Sequence, residues 1–133
     1  MTNFLTRFSV ASGYDPSGLQ GGKVFYEPTR EGGATLFHRD GSVRIEIGDA
    51  KHAFWLNTIA NSASTLEHEW DHTLKFFQSG QSQSVTEGYL RELSALRAQY
   101  YHPSFKFVTS EYEKNFIRLY KLRLFQYNQS LLR

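Results

Sequence analysis

Across residues 59–80 the apolar side chains of Ile59, Ala63, Leu66, Trp70, Leu74 and Phe77 recur in steps of three and four. That period commits the segment to an amphipathic helix several turns long, with Gly80 as its stop. A second helix starts at Ser84, where Ser84 and Glu87 form a capping-box pair. It carries Tyr89, Leu93, Leu96 and Tyr100 as its apolar stripe and ends at His102-Pro103. A third begins at Ser110, with Glu113 in the capping-box position, and runs toward Asn128. Ahead of the helices, residues 4–10, 23–27, 34–38 and 43–47 are short runs rich in β-branched and aromatic side chains, and they read as strands. The last two flank Arg39-Asp40-Gly41-Ser42, a hairpin signal. In the fourth run Val43, Ile45 and Ile47 alternate with Arg44 and Glu46, which predicts one buried face and one facing water. Residues 11–22, with Gly13, Pro16, Gly18, Gly21 and Gly22, read as a mobile loop. Strands first and helices after predict an α+β fold, as a single domain over residues 1–133.

Composition narrows the chemistry. The 133 residues include no cysteine, which excludes disulfides and thiolate-held metals, so any metal must sit on histidine and carboxylate. No run approaches the roughly 20 apolar residues of a membrane span. Residues 1–10 lack the apolar core of a signal peptide. The chain therefore reads as soluble: cytosolic, exported without a cleaved signal, or the end of a larger protein. The net charge of +2 makes nucleic acid an unexpected partner. The one dense basic cluster is Lys114, Arg118, Lys121 and Arg123, of which Lys114, Arg118 and Lys121 share one face that reads as solvated.

The chemistry concentrates in His68-Glu69-Trp70-Asp71-His72. Two histidines four apart on a helix project from the same side, one turn from each other, and can share one metal ion. Glu69 is rotated by about 100° from His68, near such an ion but not on it. There it can take a proton from water and deliver it to a leaving amine. His68, Glu69 and His72 thus match the H-E-x-x-H pattern, with Zn2+ as the expected cofactor and a protein or peptide as the substrate.

A catalytic zinc needs a third protein ligand. Residues 78–84 contain no histidine, so a third histidine at short spacing is absent. His38 and His52 precede the motif, and His102 adjoins a helix-ending proline. The second helix offers Glu87 and Glu92. Glu87 already has a capping role, whereas Glu92 shares a face with the small residues Gly88 and Ala95, which would let two helices approach. This favours Glu92, with Glu87, a histidine or Asp71 as alternatives. A peptide could add as a strand beside residues 43–48. Tyr89, Arg91, Tyr100, Tyr101, His102 and Tyr112 are candidate donors to a developing oxyanion. Trp55, Phe76 and Phe77 read as core.

His68-Glu69-x-x-His72 followed after twenty residues by Glu92 resembles the gluzincin zinc metallopeptidases. More narrowly, Glu92-Leu93-Ser94-Ala95 and Tyr101-His102-Pro103-Ser104-Phe105 resemble the small metallopeptidase toxin domains at the C-termini of bacterial polymorphic, Rhs-type toxins. The similarity extends over about residues 55–108. The resemblance implies a zincin-like fold: a small twisted sheet, a metal-bearing helix, a glutamate-bearing helix and a closing C-terminal helix. It implies His68, His72 and Glu92 as zinc ligands and Glu69 as general base and acid. It further implies a secreted effector delivered into a target cell, with a cognate immunity protein as partner. A catalytically silent, zincin-shaped binding module is the alternative, followed by a weak nucleic-acid-binding domain.

Overall fold

The computed structural model describes residues 1–51 and 53–132. The fold is α+β. Helix α1 (Thr2–Ala11) precedes strands β1 (Leu19–Tyr26), β2 (Glu31–Phe37) and β3 (Val43–Asp49). Helices α2 (Ile59–Ser79), α3 (Val85–Tyr101) and α4 (Ser110–Ser130) follow, and Pro16–Gly18, Ala53–Trp55 and Pro103–Phe107 form short 3₁₀ turns. Among the described residues, no helix is long and apolar enough to cross a membrane.

The sheet has the order β1-β3-β2, with β3 parallel to β1 and antiparallel to β2. The expected hairpin joins β2 and β3. Gly41, at φ +86°, makes the turn, and the Asp40 carboxylate accepts from the Ser42 amide. Val43, Ile45 and Ile47 are fully buried and pack with Leu5, Val24, Leu66 and Trp70 from one side of the sheet. The opposite side is less wet than the alternation predicts. Glu46 is buried there, accepting from Arg30 Nε at 2.9 Å and Arg44 Nε at 2.7 Å. Burial pushes its pKa up, but the two guanidiniums more than offset that and hold it below the usual carboxylate range.

Three expectations are corrected. Residues 4–10 are not a strand but most of α1. Their aromatic and β-branched content favours a strand, yet Leu5 and Ser9 are buried one turn apart, and the Thr6 and Ser9 hydroxyls bond back to the carbonyls of Thr2 and Leu5. Tertiary packing overrides propensity here. Residues 11–22 are not a free loop: Tyr14 stacks on Trp70 at 4.8 Å and donates to Glu67 at 2.5 Å, Asp15 caps the Pro16–Gly18 turn, and β1 begins at Leu19. Finally, Ile59, Leu74 and Phe77 of the α2 stripe are exposed, whereas Asn61, Ser62, Ser64, Thr65 and Thr73 are buried. The helix is enclosed on several sides, by the sheet and α1, by α3 and by α4, so its polar residues point inward, and Asn61, Thr65 and Thr73 find hydrogen-bond partners there. Asn61 is the clearest case: its side chain bonds to Phe54, Asn57 and both the backbone and hydroxyl of Thr109, tying the start of α4 to α2.

The caps follow the sequence closely. Ser84 caps α3 by accepting from the Glu87 amide, and the Glu87 carboxylate reaches back to the Gln83 amide. Gly80 ends α2 at φ +74°. For α4 the cap is Thr109, one residue before the expected Ser110, its hydroxyl accepting from the Tyr112 amide.

The two edges of the sheet differ. On β1, the outward amides of Val24 and Tyr26 donate to the hydroxyls of Thr6 and Thr2, so α1 blocks that edge. On β2, Ala50 N to Arg30 O and His38 N to Ser42 O fix which ladder pairs exchange hydrogen bonds. By alternation the main-chain groups of Gly33, Thr35 and Phe37 point away from β3. They face a cleft.

Candidate metal centre

Helix α2 presents His68 and His72 toward α3, one turn apart, and α3 presents Glu92 back toward them. His68 Nε2 and His72 Nε2 are 3.2 Å apart. Glu92 Oε1 lies 3.1 Å from His72 Nε2, and Glu92 Oε2 lies 3.5 Å from His68 Nε2. Ligands placed tetrahedrally at about 2.0–2.1 Å from an ion stand about 3.3 Å from one another, so these separations match the edges of such a polyhedron. Among the described residues this is the one group of three histidine or acidic side chains whose ligand atoms converge, all within 4.8 Å. Two neutral imidazoles and a carboxylate are a donor set suited to a divalent transition ion.

The imidazole of His68 is oriented from behind. Its Nδ1 lies 2.9 Å from Gln99 Oε1, and a carbonyl oxygen there requires Nδ1 to carry the hydrogen. In the neutral imidazole that tautomer leaves the Nε2 lone pair available to a metal ion. Gln99 is held in turn, its Nε2 donating to the Tyr112 hydroxyl at 2.6 Å, which lies 2.9 Å from Thr65 Oγ1. Both Gln99 and Tyr112 are buried. Burial pulls the His68 pKa down, but the Glu69 and Glu92 carboxylates and Gln99 push it up further, to about 9. Glu92 is raised by burial and lowered more strongly by its bonds to His68 and His72, so its carboxyl stays ionised far below the usual range. A site that stabilises positive charge on an imidazole also stabilises a cation bound to it. Gln99→Leu is expected to weaken metal binding by about 10–100-fold, read by competition with a chelating indicator, because His68 loses its orienting acceptor.

Glu69 is buried but not in the ligand group. Its carboxylate accepts from the Thr35 hydroxyl at 2.9 Å, and it lies against Gly33 of β2 so closely that a Cβ there would stand 2.5 Å from Oε2. Glycine at 33 is therefore what makes room for the Glu69 side chain. His68, Glu69, His72 and Glu92 all line one cleft of about 420 Å³ between β2 and α4, which Trp55 and Arg123 also line. A second hollow of about 610 Å³ shares Thr35, Phe37, His72 and Glu92 with it and continues past Leu36, His38 and Arg91. Together they form a groove along the free edge of β2, with the triad at its middle.

The other sequence candidates fall elsewhere. Glu87 bonds to Gln83 and Arg91 and is outside the triad. Asp71 is turned to Ser94 at 3.0 Å and Lys75 at 3.4 Å, so it ties α2 to α3 and lies outside the ligand group. Of the two small residues invoked for Glu92, Ala95 is fully buried, but Gly88 has only Ser82 Oγ near it, so no close helix approach depends on Gly88. His102 caps the Pro103–Phe107 turn and lies 3.7 Å from Glu67; His38 sits at the β2–β3 turn; His52 lies outside the described residues. Among the oxyanion candidates, Arg91 donates to Gly80 O and Glu87, and the Tyr112 hydroxyl is engaged by Gln99 and Thr65. Tyr100 and Tyr101 are exposed and His102 is a cap, while Tyr89 lines a separate hollow with Phe125. The strand beside the groove is β2, not β3, which is paired on both sides. Trp55 belongs to the cleft wall, Phe76 stacks on Phe37 at 4.5 Å, and Phe77 is half exposed.

Four contributors escaped the sequence reading: Gly33, Thr35, Gln99 and Arg123. None stands at a motif spacing from His68. Each reaches the site only because β2, α3 and α4 fold around α2. No protein-family model, no curated protein sequence and no solved structure matches the chain.

Proposed function

We propose that the protein is a zinc-dependent peptidase of zincin-like architecture, with His68, His72 and Glu92 holding the metal and Glu69 acting as general base and acid. The observation that carries this reading is the convergence of three ligand atoms at tetrahedral-edge distances, 3.1–3.5 Å, beside a buried carboxylate that is not one of them. Zinc, when bound, supplies the Lewis acidity that makes water acidic near neutral pH and polarises a scissile carbonyl. His68 offers Nε2 because Gln99 holds its Nδ1 hydrogen. Glu69 accepts the proton released by the attacking water and passes it to the departing amine. Thr35, donating to Glu69 Oε1 and to the Glu69 main-chain carbonyl at 3.1 Å, fixes the carboxylate against the helix. The outward main-chain groups of Gly33, Thr35 and Phe37 supply an edge on which an extended peptide can pair.

The biological setting proposed is a bacterial effector or toxin domain neutralised by an immunity protein. It rests on the resemblance of residues 92–95 and 101–105 to such domains. Elemental analysis of protein purified without chelators, and again after zinc addition, tests the metal reading. About one zinc per chain is expected in the loaded sample, and a content near zero in both overturns it.

A further inference from the structure

The arm of the groove between β2 and α4 contains two buried N–H donors with no acceptor among the described residues: Trp55 Nε1 and Arg123 Nε. They stand in different elements, Trp55 in the turn before α2 and Arg123 on the inner face of α4. Buried donors are satisfied in the great majority of cases, and two in one cleft mark where a ligand's acceptors belong. Arg123 holds one further bond, from Nη1 to Gln126 Oε1 at 2.9 Å, which steadies the guanidinium without using Nε. Its Nε is 3.9 Å from Glu92 Oε2, beyond hydrogen-bond range but adjacent to the triad.

The carboxylate that stands beside Arg123 is Glu92, which the peptidase reading assigns to the metal. Glu69 and Glu92 together balance one divalent ion, and Glu31 is paired with Lys51 at 2.9 Å. Arg91, the cation of the other arm, is consumed by Gly80 O and Glu87. With Glu92 engaged by a metal, the positive side chain lining this cleft without a carboxylate partner, among the described residues, is the Arg123 guanidinium. A planar fork of this kind is matched by a carboxylate.

We propose that Arg123 is a specificity-determining residue that takes a carboxylate of the substrate, so that the protein acts on peptides with an acidic side chain, or the chain's own C-terminal carboxylate, next to the scissile bond. The proposal rests on the peptidase reading above. The indole N–H of Trp55 takes a second acceptor, a peptide carbonyl, in the same arm.

The test is isothermal titration calorimetry of the zinc-loaded protein with three probes: acetohydroxamate, a short series of hydroxamates ending in a carboxylate, and the matching carboxamides. In the parent, at least one carboxylate member is expected to bind about tenfold or more tightly than its carboxamide. Arg123→Met, with its zinc content and circular dichroism checked, should bring that ratio to about one, and Arg123→Lys should restore part of it. A merely structural Arg123 would change metal content and leave the ratio where it was. Acetohydroxamate binding with equal affinity for carboxylate and carboxamide overturns the Arg123 assignment alone. Failure to take up zinc, with no hydroxamate bound, overturns the peptidase reading and this one with it. Peptide mixtures with Asp or Glu against Asn or Gln, and with free against amidated C-termini, then separate the two carboxylate sources by the cleavage sites found in mass spectrometry.

Discussion

Glu69→Gln is expected to lower peptide hydrolysis by about 10⁴-fold, the upper end of what general acid–base assistance contributes, because one carboxylate serves both proton transfers. The metal content and the thermal unfolding curve should stay as in the parent. The glutamine amide has the same size as the carboxylate, its Oε1 can still accept from Thr35, and no metal contact is lost, since Glu69 lies outside the ligand group. Gly33→Ala should produce part of the same loss by a different route, since its new methyl collides with the Glu69 carboxylate and Cγ. Expression of the parent in the appropriate bacterial compartment should inhibit growth if the domain is a toxin, and Glu69→Gln should relieve that inhibition. A Glu69→Gln protein that remains as proteolytic or as toxic as the parent would sink the peptidase mechanism and leave binding as the source of any effect.

The second large effect is expected at Glu92. Glu92→Ala removes one of the three converging side chains that would hold the metal. Zinc affinity should fall by more than the about 10–100-fold that loss of an outer hydrogen-bond partner costs. Glu87→Ala is the matched control from the same helix. It removes the acceptor for Gln83 N and for Arg91, and should cost typically ~1 kcal/mol of stability in urea denaturation with metal binding intact. The reverse pattern, metal lost in Glu87→Ala and kept in Glu92→Ala, would exchange the two assignments.

Where these residues sit shows which kinds of information a linear chain carries. The spacing of His68 and His72 is a local property of the helix, so their shared direction follows from 3.6 residues per turn. The end of α2 at Gly80 and the Ser84 cap of α3 are local for the same reason: each satisfies backbone groups within a few residues. The hairpin at Asp40-Gly41 is likewise written in the turn residues. In residues 4–10 the same side chains suit strand or helix, and only the docking of Leu5 and the Thr2 and Thr6 hydroxyls on β1 selects the helix.

By itself, then, the sequence determined the α+β class, the helices α2 to α4, the hairpin, the two histidines with Glu69 between them, and Glu92 as a candidate partner. The tertiary structure decided that Glu92 and not Glu87 stands beside the histidines, because which face of α3 meets α2 depends on how the two helices pack. It also decided that β2 is the free edge, that Gly33 and Thr35 cradle Glu69, that Gln99 fixes His68, and that Arg123 faces the cleft. The side-chain contacts among these join residues about 20 or more positions apart, set by the burial of α2 among the sheet, α3 and α4, and no local spacing encodes them.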